Sequence, residues 1–263
     1  MSPGQKDYSR ARREMVARLE AQGIGDPRVL EAMGEVPRHL FVPEALAGQA
    51  YADVRLPIGQ EQTISQPWTV ARLAELLEAP AGSRILEIGA GSGYQAAVLA
   101  AVGLIVFTVE RHAALARSAA RRLKELGYLR ATVKHFDGTY GWAAMGPYRG
   151  VLVTAASPEV PATLLRQLEA GGRLVLPLAA RDSEQEGEQR LVSVVKLPTG
   201  ELREEDHGPA SFVPLIGRFG YGETGAPDPR RRNGRGSPAR RQGGSGSAAP
   251  RSLRSSPEKP GNR

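Results

Sequence analysis

The chain has 263 residues, of which 41% are hydrophobic, and it carries a formal net charge of +7 with no cysteine. This length and apolar content allow one large α/β domain or two small ones, and the missing cysteines exclude a disulfide framework. The longest apolar run, residues 96–109, is interrupted by Gly103 and is shorter than the roughly 20 residues of a membrane-spanning helix. The first residues lack the apolar core of a secretory signal, so we expect a cytoplasmic protein without a membrane anchor.

The positive charge is concentrated at the C-terminal end of the sequence. Residues 225–263 contain ten Lys and Arg residues and two acidic ones, so this segment carries +8 and the remaining residues carry −1. The segment is rich in Gly, Ser and Pro and has almost no apolar surface to bury, which predicts a disordered basic tail. Such a tail could contact nucleic acid or another anionic surface weakly, but a solvated extension without a dedicated partner is the simpler interpretation.

The first part of the chain predicts helices followed by loops. Apolar residues recur at helical spacing within residues 10–22 and again after the helix-start signal Asp26-Pro27. Prolines then punctuate a loop-rich stretch that ends in the polar segment GQEQTISQPW, residues 59–68. We expect residues 1–66 to form a helical and loop region that contributes to the active site, and a helix to begin near Pro67.

From Arg84 onward, short β-branched runs alternate with helical patterns. This alternation is typical of βαβ units and predicts a doubly wound, mostly parallel sheet with helices on both faces. After Leu178 the alternation stops, and LVSVVKL and ELREEDHGPASFVPL predict two more strands, antiparallel and joined through Pro198-Thr-Gly200. The predicted fold class is therefore α/β, with a seven-stranded Rossmann-like sheet within residues 67–224.

A glycine-rich segment, Glu87-Ile-Gly-Ala-Gly-Ser-Gly-Tyr94, lies between the first of these strands and the next helix. Glycines allow a tight turn and the close approach of a ligand at the carboxyl end of a strand, where open α/β sheets bind ligands. The spacing differs from the G-x-G-x-x-G of dinucleotide sites. Glu87 would repel a pyrophosphate but could hold an ammonium group, directly or through water, which favours S-adenosylmethionine over NAD. We predict cofactor contacts from Glu87, Gly89, Gly91, Ser92 and Gly93.

Acidic residues also end the next two predicted strands. Glu110 ends LIVFTVE, at a position where a carboxylate accepts hydrogen bonds from ribose hydroxyls in several nucleotide folds. Asp137 and Gly138 follow the third strand, and Asp137 could accept a hydrogen bond from the adenine amino group. Each acid alone would fit a solvated strand end, but three acids at three consecutive strand ends indicate a nucleoside site.

Other catalytic classes find little support in the sequence. The four histidines are scattered and lack metal-ligand spacing, so we expect no metal site. Ser65 lacks the G-x-S-x-G pattern of a hydrolase nucleophile, and it could also serve as the cap of the helix that begins at Pro67. Trp68 and Trp142 are more typical of packing residues than of a cofactor box, although Trp68 could cover one side of the cofactor.

Several motifs together resemble the protein-L-isoaspartate O-methyltransferase family over roughly residues 10–220. In chain order they are AYADVRLPIG (50–59), QTISQP (62–67), ILEIGAGSGYQAAVLA (85–100), VER (109–111), DGTYGW (137–142), VTAASPEVP (153–161), LLRQLEAGGRLVLP (164–177) and FVPL (212–215). The glycine motif is generic to class I methyltransferases, whereas AYADVRLPIG and QTISQP are characteristic of this family.

The resemblance implies methyl transfer from S-adenosylmethionine to the α-carboxylate of L-isoaspartyl residues in damaged proteins and peptides, which initiates repair to aspartyl residues. It matches Ser65 to the family's active-site serine, whose hydroxyl can donate a hydrogen bond to the substrate carboxylate. We expect Thr63, on the same segment, to support the loop or to contact the cofactor. Two positions depart from the family pattern: Phe136 replaces a usual glycine, and Ile216 replaces a frequent polar residue. The basic tail has no counterpart in the family core, and we expect a monomer.

Three alternatives remain open on the sequence alone. A small-molecule methyltransferase would share the cofactor site but would not need the QTISQP loop. An NAD oxidoreductase would have to bind a pyrophosphate beside Glu87. A nucleic-acid-binding protein without catalysis would owe its affinity to the basic tail.

Overall fold

The computed structural model describes residues 7–180 and 188–222, which all belong to one compact unit. The predicted tail, residues 225–263, lies outside the described residues. The division between residues 1–66 and 67–224 stays a prediction. Side chains from both sides of it, among them Met15 and Leu73, share one hydrophobic cluster.

The described residues form six α-helices and nine strands. The helices are α1 (Ser9–Ala21), α2 (Pro27–Glu35), α3 (Pro67–Leu76), α4 (Tyr94–Ala101), α5 (Ala113–Glu125) and α6 (Ala162–Leu165). The strands are β1 (Leu56–Gly59), β2 (Gln62–Ile64), β3 (Arg84–Ile88), β4 (Ile105–Glu110), β5 (Ala131–His135), β6 (Tyr148–Val153), β7 (Leu168–Ala179), β8 (Gln189–Lys196) and β9 (Leu202–Ala210). Short 3₁₀ helices cover Arg38–Phe41, Glu44–Gln49, Gly138–Tyr140 and Ala143–Met145. The helical start of the chain is therefore confirmed.

Seven of the strands form one mixed sheet in the order β5-β4-β3-β6-β7-β8-β9. Strands β3 to β7 pair in parallel, and β8 and β9 pair antiparallel. The β8–β9 connection closes where the Leu197 N–H donates to the Glu201 carbonyl at 2.8 Å. The predicted seven-stranded, mostly parallel sheet is confirmed, and its winding reverses between β3 and β6, where such sheets bind ligands.

Adjacent residues of β3 pack into different hydrophobic clusters. Ile85 belongs to the cluster shared with α1 to α4, whereas Leu86 and Ile88 belong to the cluster that contains Tyr148 and Leu164 of α6. Successive side chains of a strand point to opposite faces, so the two clusters mark the two faces of the sheet. Helices cover both faces, as a doubly wound fold requires.

The segment predicted as a loop before α3 is instead a β-hairpin. Strands β1 and β2 pair antiparallel, with Pro57 opposite Thr63. The turn residues Gln60 and Glu61 have φ angles of 54° and 56°, in the left-handed region that two-residue hairpin turns require and that Asn and Gly usually occupy. The loop prediction is wrong here because GQEQ lacks that sequence signal.

The last predicted strand is also shorter than expected. The sequence predicts a strand through Leu215, but β9 ends at Ala210. The chain then returns to the end of β6, where the Ala156 N–H donates to the Val213 carbonyl at 2.8 Å and the Leu215 N–H donates to the Ala156 carbonyl at 2.7 Å. Pro214 lacks the N–H that a continued ladder would need. This part of the prediction is therefore wrong, and residues 213–215 lie at the carboxyl edge of the sheet instead.

Candidate functional site

The glycine segment after β3 forms a left-handed turn at the carboxyl edge of the sheet. Gly89, Gly91 and Gly93 have φ angles of 100°, 53° and 89°, which side chains with a Cβ rarely adopt. A Cβ at Gly89 would also collide with the Thr154 hydroxyl. Gly93 precedes α4, and its N–H donates to the Ala90 carbonyl at 2.8 Å. Glycine is thus needed here for conformation and, at Gly89, for space as well.

A cavity of about 530 Å³ opens beside this turn. Six stretches of chain line it: the β1–β2 hairpin, the β3 end with its glycines, the β4 end, Gly138 after β5, residues 154–155 after β6, and residues 213–216. Its lining residues are Gln60, Glu61, Gln62, Thr63, Ile88, Gly89, Gly91, Val109, Glu110, Arg111, His112, Gly138, Thr154, Ala155, Val213, Pro214, Leu215 and Ile216. This volume is within the range of small-molecule and cofactor sites. We call it the large cavity.

Glu110 connects the glycine turn to the wall of the large cavity. It ends β4 and is only 5% exposed. Its Oε2 accepts a hydrogen bond from the Gly91 N–H at 2.9 Å, and its Oε1 accepts one from the His112 N–H at 2.8 Å. Each carboxylate oxygen has a further lone pair, so Glu110 can still accept hydrogen bonds from a ligand diol.

Asp137 and Gly138, predicted together, have different positions. Gly138 lines the large cavity, whereas Asp137 lies outside its lining. The Asp137 Oδ1 accepts hydrogen bonds from the Thr139 N–H at 2.9 Å and the Thr139 hydroxyl at 2.7 Å, and its Oδ2 accepts one from the Arg218 N–H at 2.9 Å. Asp137 therefore joins the β5 end to the last described segment, and its contact with adenine stays a prediction.

Phe136, the departure from the family glycine, also lies outside the lining of the large cavity. Its ring contacts Tyr140 at a centroid separation of 5.6 Å, and the Lys134 Nζ lies 4.3 Å from its centroid. The side chain is 42% exposed. Phe136 thus packs on the outer surface of this edge.

Glu87 is fully buried within β3 and lies opposite Thr108 in the β3–β4 register. Within the described part of the chain, neither its carboxyl oxygens nor the Thr108 hydroxyl meets a hydrogen-bond partner. Burial raises the pKa of Glu87 to about 8; the nearby Thr108 hydroxyl opposes this shift and the Glu110 charge adds to it. The side chain lies outside the cavity lining and is mainly neutral at pH 7, so its role toward an ammonium group stays a prediction.

Ser92 supports the start of α4. Its side chain is buried, its hydroxyl accepts a hydrogen bond from the Tyr94 N–H at 3.4 Å, and its carbonyl accepts one from Arg122 at 2.8 Å. It lies outside the lining of the large cavity. Its predicted cofactor contact is therefore untested.

Thr63 and Ser65 lie beside two different cavities. Thr63 lines the large cavity, and Ser65 lines a second cavity of about 280 Å³. The buried Arg38 fixes the Ser65 backbone: its Nη2 donates to the Ser65 carbonyl at 2.6 Å and its Nε to the Ala50 carbonyl at 2.7 Å. Arg38 thus connects the two ends of the hairpin region.

Helix capping does not account for Ser65. The N-cap of α3 is Gln66, whose side chain makes no capping hydrogen bond. Instead the Asp53 Oδ1 accepts a hydrogen bond from the Trp68 N–H at 3.0 Å. Ser65 is therefore not the cap of α3. Asp53, from the preceding segment, accepts the hydrogen bond of a backbone N–H in the first turn of this helix instead.

Sequence reasoning did not predict several lining residues of the large cavity. They are the hairpin residues Gln60, Glu61 and Gln62, the β4-end residues Arg111 and His112, and Thr154, Ala155 and residues 213–216. Thr154 follows β6, the strand beside β3, so its position next to the reversal of winding was a usable signal. The polar density of residues 59–68 indicated a functional segment, but the individual hairpin residues were not predicted, because their strand pairing was not predicted.

Metal and membrane signals are absent from the described part of the chain. Within residues 7–180 and 188–222, no three His, Cys, Asp or Glu side chains come together as metal ligands. No helix in those ranges combines the length and apolar content needed to cross a bilayer.

Comparison with known proteins supplies the family. A model of the family described as protein-L-isoaspartate(D-aspartate) O-methyltransferase matches residues 10–220. The chain belongs to this family. Membership favours a protein methyltransferase over a small-molecule methyltransferase, an NAD oxidoreductase or a non-catalytic nucleic-acid-binding protein.

Individual members of the family match most of the chain. A protein-L-isoaspartate O-methyltransferase from Alkalilimnicola ehrlichii is 52% identical over 209 residues, covering 79% of this chain and 92% of the relative. One from Syntrophotalea carbinolica is 49% identical over 220 residues, covering 83% and 99%.

Solved structures show the same fold. A protein-L-isoaspartate O-methyltransferase structure matches with a TM-score of 0.70 and 30% identity, covering 80% of this chain and 67% of that one. A proposed family member from Plasmodium falciparum, in complex with S-adenosyl-L-homocysteine, has a TM-score of 0.65 and 22% identity, and covers 81% and 99%. The second likeness supports the fold alone.

Proposed function

We propose that the protein transfers a methyl group from S-adenosylmethionine to the α-carboxylate of L-isoaspartyl residues in damaged proteins and peptides, and thereby initiates their repair to aspartyl residues. The observation that carries this proposal is the large cavity at the carboxyl edge of the sheet, in a chain whose residues 10–220 belong to the isoaspartate methyltransferase family.

The residues at the large cavity fit S-adenosylmethionine. Gly89 and Gly91 bring backbone without side chains to the cavity, and Glu110 presents a buried carboxylate suited to a ribose diol. Thr63 and Gly138 lie on the same cavity and complete this set. When bound, S-adenosylmethionine supplies an electrophilic methyl group on a positively charged sulfur.

The substrate carboxylate needs positioning and no deprotonation. An α-carboxyl group has an ordinary pKa of roughly 3–4, so it is ionised at neutral pH and no general base is required. A carbon–oxygen bond to the methyl group forms, a carbon–sulfur bond breaks, and no proton moves. The protein contributes by holding the carboxylate in line with the methyl group and by keeping water away.

Ser65 is the residue we propose for that positioning. Its hydroxyl can donate a charge-assisted hydrogen bond to the carboxylate and so select which oxygen meets the methyl group. Support comes from its place on the second cavity, two residues from Thr63 on the large one. Arg38 holds the Ser65 carbonyl at 2.6 Å, which limits movement of the backbone that carries the hydroxyl.

We propose a monomer that acts in the cytoplasm, whose only contact with nucleic acid would be a weak one through the basic residues 225–263. Size-exclusion chromatography with light scattering tests the first of these statements, since a mass near twice 28.1 kDa would contradict it.

The test of the function uses a matched pair of peptides. We expect transfer of labelled methyl groups from S-adenosylmethionine to an isoaspartyl peptide and none to its aspartyl twin of the same sequence. The label should be released by mild base, as expected of an ester. Equal labelling of both peptides, or no labelling by a protein that binds S-adenosylhomocysteine, would contradict the proposed function.

A further inference from the structure

The second cavity is separate from the large one but is built from the same stretches of chain. It has a volume of about 280 Å³, and Ser65, Trp68 and Phe212 line it. Two short stretches serve both cavities. Thr63 lines the large cavity and Ser65 the second; likewise Val213 lines the large cavity and Phe212 the second.

This arrangement has a consequence for a peptide substrate, and the reasoning rests on the proposed function. If the isoaspartyl carboxylate meets Ser65, the residues next to it in the peptide must lie close to Ser65 as well. The Cα atom of the preceding residue lies about 3.8 Å away across an ordinary trans peptide, and the following residue is linked through the side-chain carbonyl, which adds one methylene to that separation. The second cavity is therefore the nearest recess for a neighbouring side chain.

The lining of the second cavity combines aromatic and polar groups with one charge. Trp68 and Phe212 provide rings, Thr69 and Ser211 provide hydroxyls, and Arg55 is the one charged residue among its described lining residues. The Arg55 Nη1 donates to the Ser211 carbonyl and hydroxyl, both at 3.1 Å. These bonds orient the guanidinium, and no other described residue hydrogen-bonds to Nε or Nη2, which can therefore donate to a ligand.

Within residues 7–180 and 188–222, no carboxylate forms an ion pair with Arg55. Asp53, two residues before Arg55, uses its Oδ1 to accept the Trp68 N–H. Among the residues that the structure describes, Arg55 hydrogen-bonds to Ser211 alone, and its side chain is exposed. The second cavity thus presents a positive charge beside aromatic surface, which complements an acidic side chain.

We propose that the second cavity is the subsite for the residue adjacent to the isoaspartate, and that Arg55 gives the enzyme a preference for an acidic side chain there. An ion pair between an exposed arginine and a substrate carboxylate contributes little binding free energy, because water screens both charges. We expect about a two- to fivefold advantage in kcat/KM for a glutamate over a glutamine neighbour.

The experiment compares isoaspartyl peptides that carry Glu or Gln immediately before or immediately after the isoaspartate. The ratio of kcat/KM for the Glu and Gln peptides is measured at low salt for wild type, Arg55→Gln and Arg55→Lys. We expect a ratio of about two to five at one of the two positions for wild type. The ratio should fall to about 1 in Arg55→Gln and be largely retained in Arg55→Lys, which keeps the charge.

Arg117→Gln is the matched control, since it removes the same charge from an exposed position of α5 that lines neither cavity. It should leave the ratio at the wild-type value. A wild-type ratio near 1 at both positions overturns the subsite, and so does an unchanged ratio in Arg55→Gln, even if both peptides react more slowly. Failure of wild type to methylate any isoaspartyl peptide would instead overturn the proposed function, and this proposal with it.

Discussion

The Ser65 backbone is held in place, because Arg38 donates a hydrogen bond to its carbonyl oxygen. The Ser65 hydroxyl is not used to cap α3, because Gln66 is the N-cap residue of that helix. We expect Ser65→Ala to slow peptide methylation by about 10- to 150-fold, the loss of a charge-assisted hydrogen bond of roughly 1.5–3 kcal/mol. Steady-state kinetics with an isoaspartyl peptide measures this change. Affinity for S-adenosylhomocysteine and the melting temperature should stay near the wild-type values.

Ser118→Ala is a suitable comparison for Ser65→Ala, because it removes the same hydroxyl from a position of α5 that lines neither cavity. It should slow methylation much less. A Ser65→Ala protein that melts several degrees lower yet methylates at the wild-type rate would assign this serine a structural role.

The raised pKa of the buried Glu87 should make the free energy of unfolding depend on pH in an unusual way. Its pKa in the folded protein is about 8, against an ordinary value of 4.5, so the folded state holds this proton more tightly than the unfolded chain does. Its favourable contribution to the free energy of unfolding is complete below about pH 4.5 and is lost as the pH rises to about 8. We expect Glu87→Gln, which stays neutral, to unfold like wild type near pH 5 and to be the more stable protein near pH 9, by an amount on the order of 5 kcal/mol at most.

Urea denaturation of both proteins across this pH range measures the difference. Glu125→Gln, at an exposed position of α5, is the matched control and should follow the wild-type profile. Parallel profiles for wild type and Glu87→Gln would show that the Glu87 carboxyl group is ionised in the folded protein at little cost.

At the scale of elements, the β1–β2 hairpin forms one wall of the large cavity through Gln60, Glu61, Gln62 and Thr63. Its turn holds two non-glycine residues in the left-handed region, at roughly 1 kcal/mol each. The polar density of GQEQTISQPW indicated a functional segment, but sequence rules for hairpins depend on Asn and Gly in the turn. Tertiary contacts, such as the Arg38 bonds to the Ala50 and Ser65 carbonyls, hold the hairpin instead, and no local pattern reports them.

The double substitution Gln60→Asn with Glu61→Gly should stabilise the protein by about 1 kcal/mol, because both new residues adopt positive φ more readily. Chemical denaturation measures the gain. Gly59→Ala is the opposing control: φ is 88° there and a Cβ would meet no neighbour within 4 Å. It should destabilise by conformational strain alone, by about 1 kcal/mol. A double variant less stable than wild type would show that Gln60 or Glu61 makes side-chain contacts worth more than the strain.

At the scale of the whole molecule, the sheet was predictable because short β-branched runs alternate with helical patterns along most of residues 84–178, and the chemistry then had to lie at the carboxyl edge. The glycine turn was predictable for the same reason, since only glycine suits its backbone at Gly89 and Gly93. The path of residues 211–216 was not, because it depends on Ala156 pairing with Pro214 across the fold. The sequence also did not predict that Glu87 is buried. Its burial depends on which elements cover that face of the sheet, and the residue pattern of a strand alone does not predict which elements these are.

The last described residues are hydrogen-bonded to the segment that lines the large cavity. The Tyr221 N–H donates to the Leu215 carbonyl at 2.7 Å and the Gly217 N–H to the Tyr221 carbonyl at 3.1 Å, so the chain is tied to the cavity wall up to this point. Beyond it, residues 225–263 carry +8 and almost no apolar side chains. A chain ending at Glu223 should therefore keep the wild-type melting temperature and peptide methylation rate, while losing any salt-sensitive binding to RNA. Thermal melting, the methylation assay and RNA binding at two salt concentrations measure these properties. A large drop in melting temperature or loss of methylation would show that the basic segment stabilises the catalytic body.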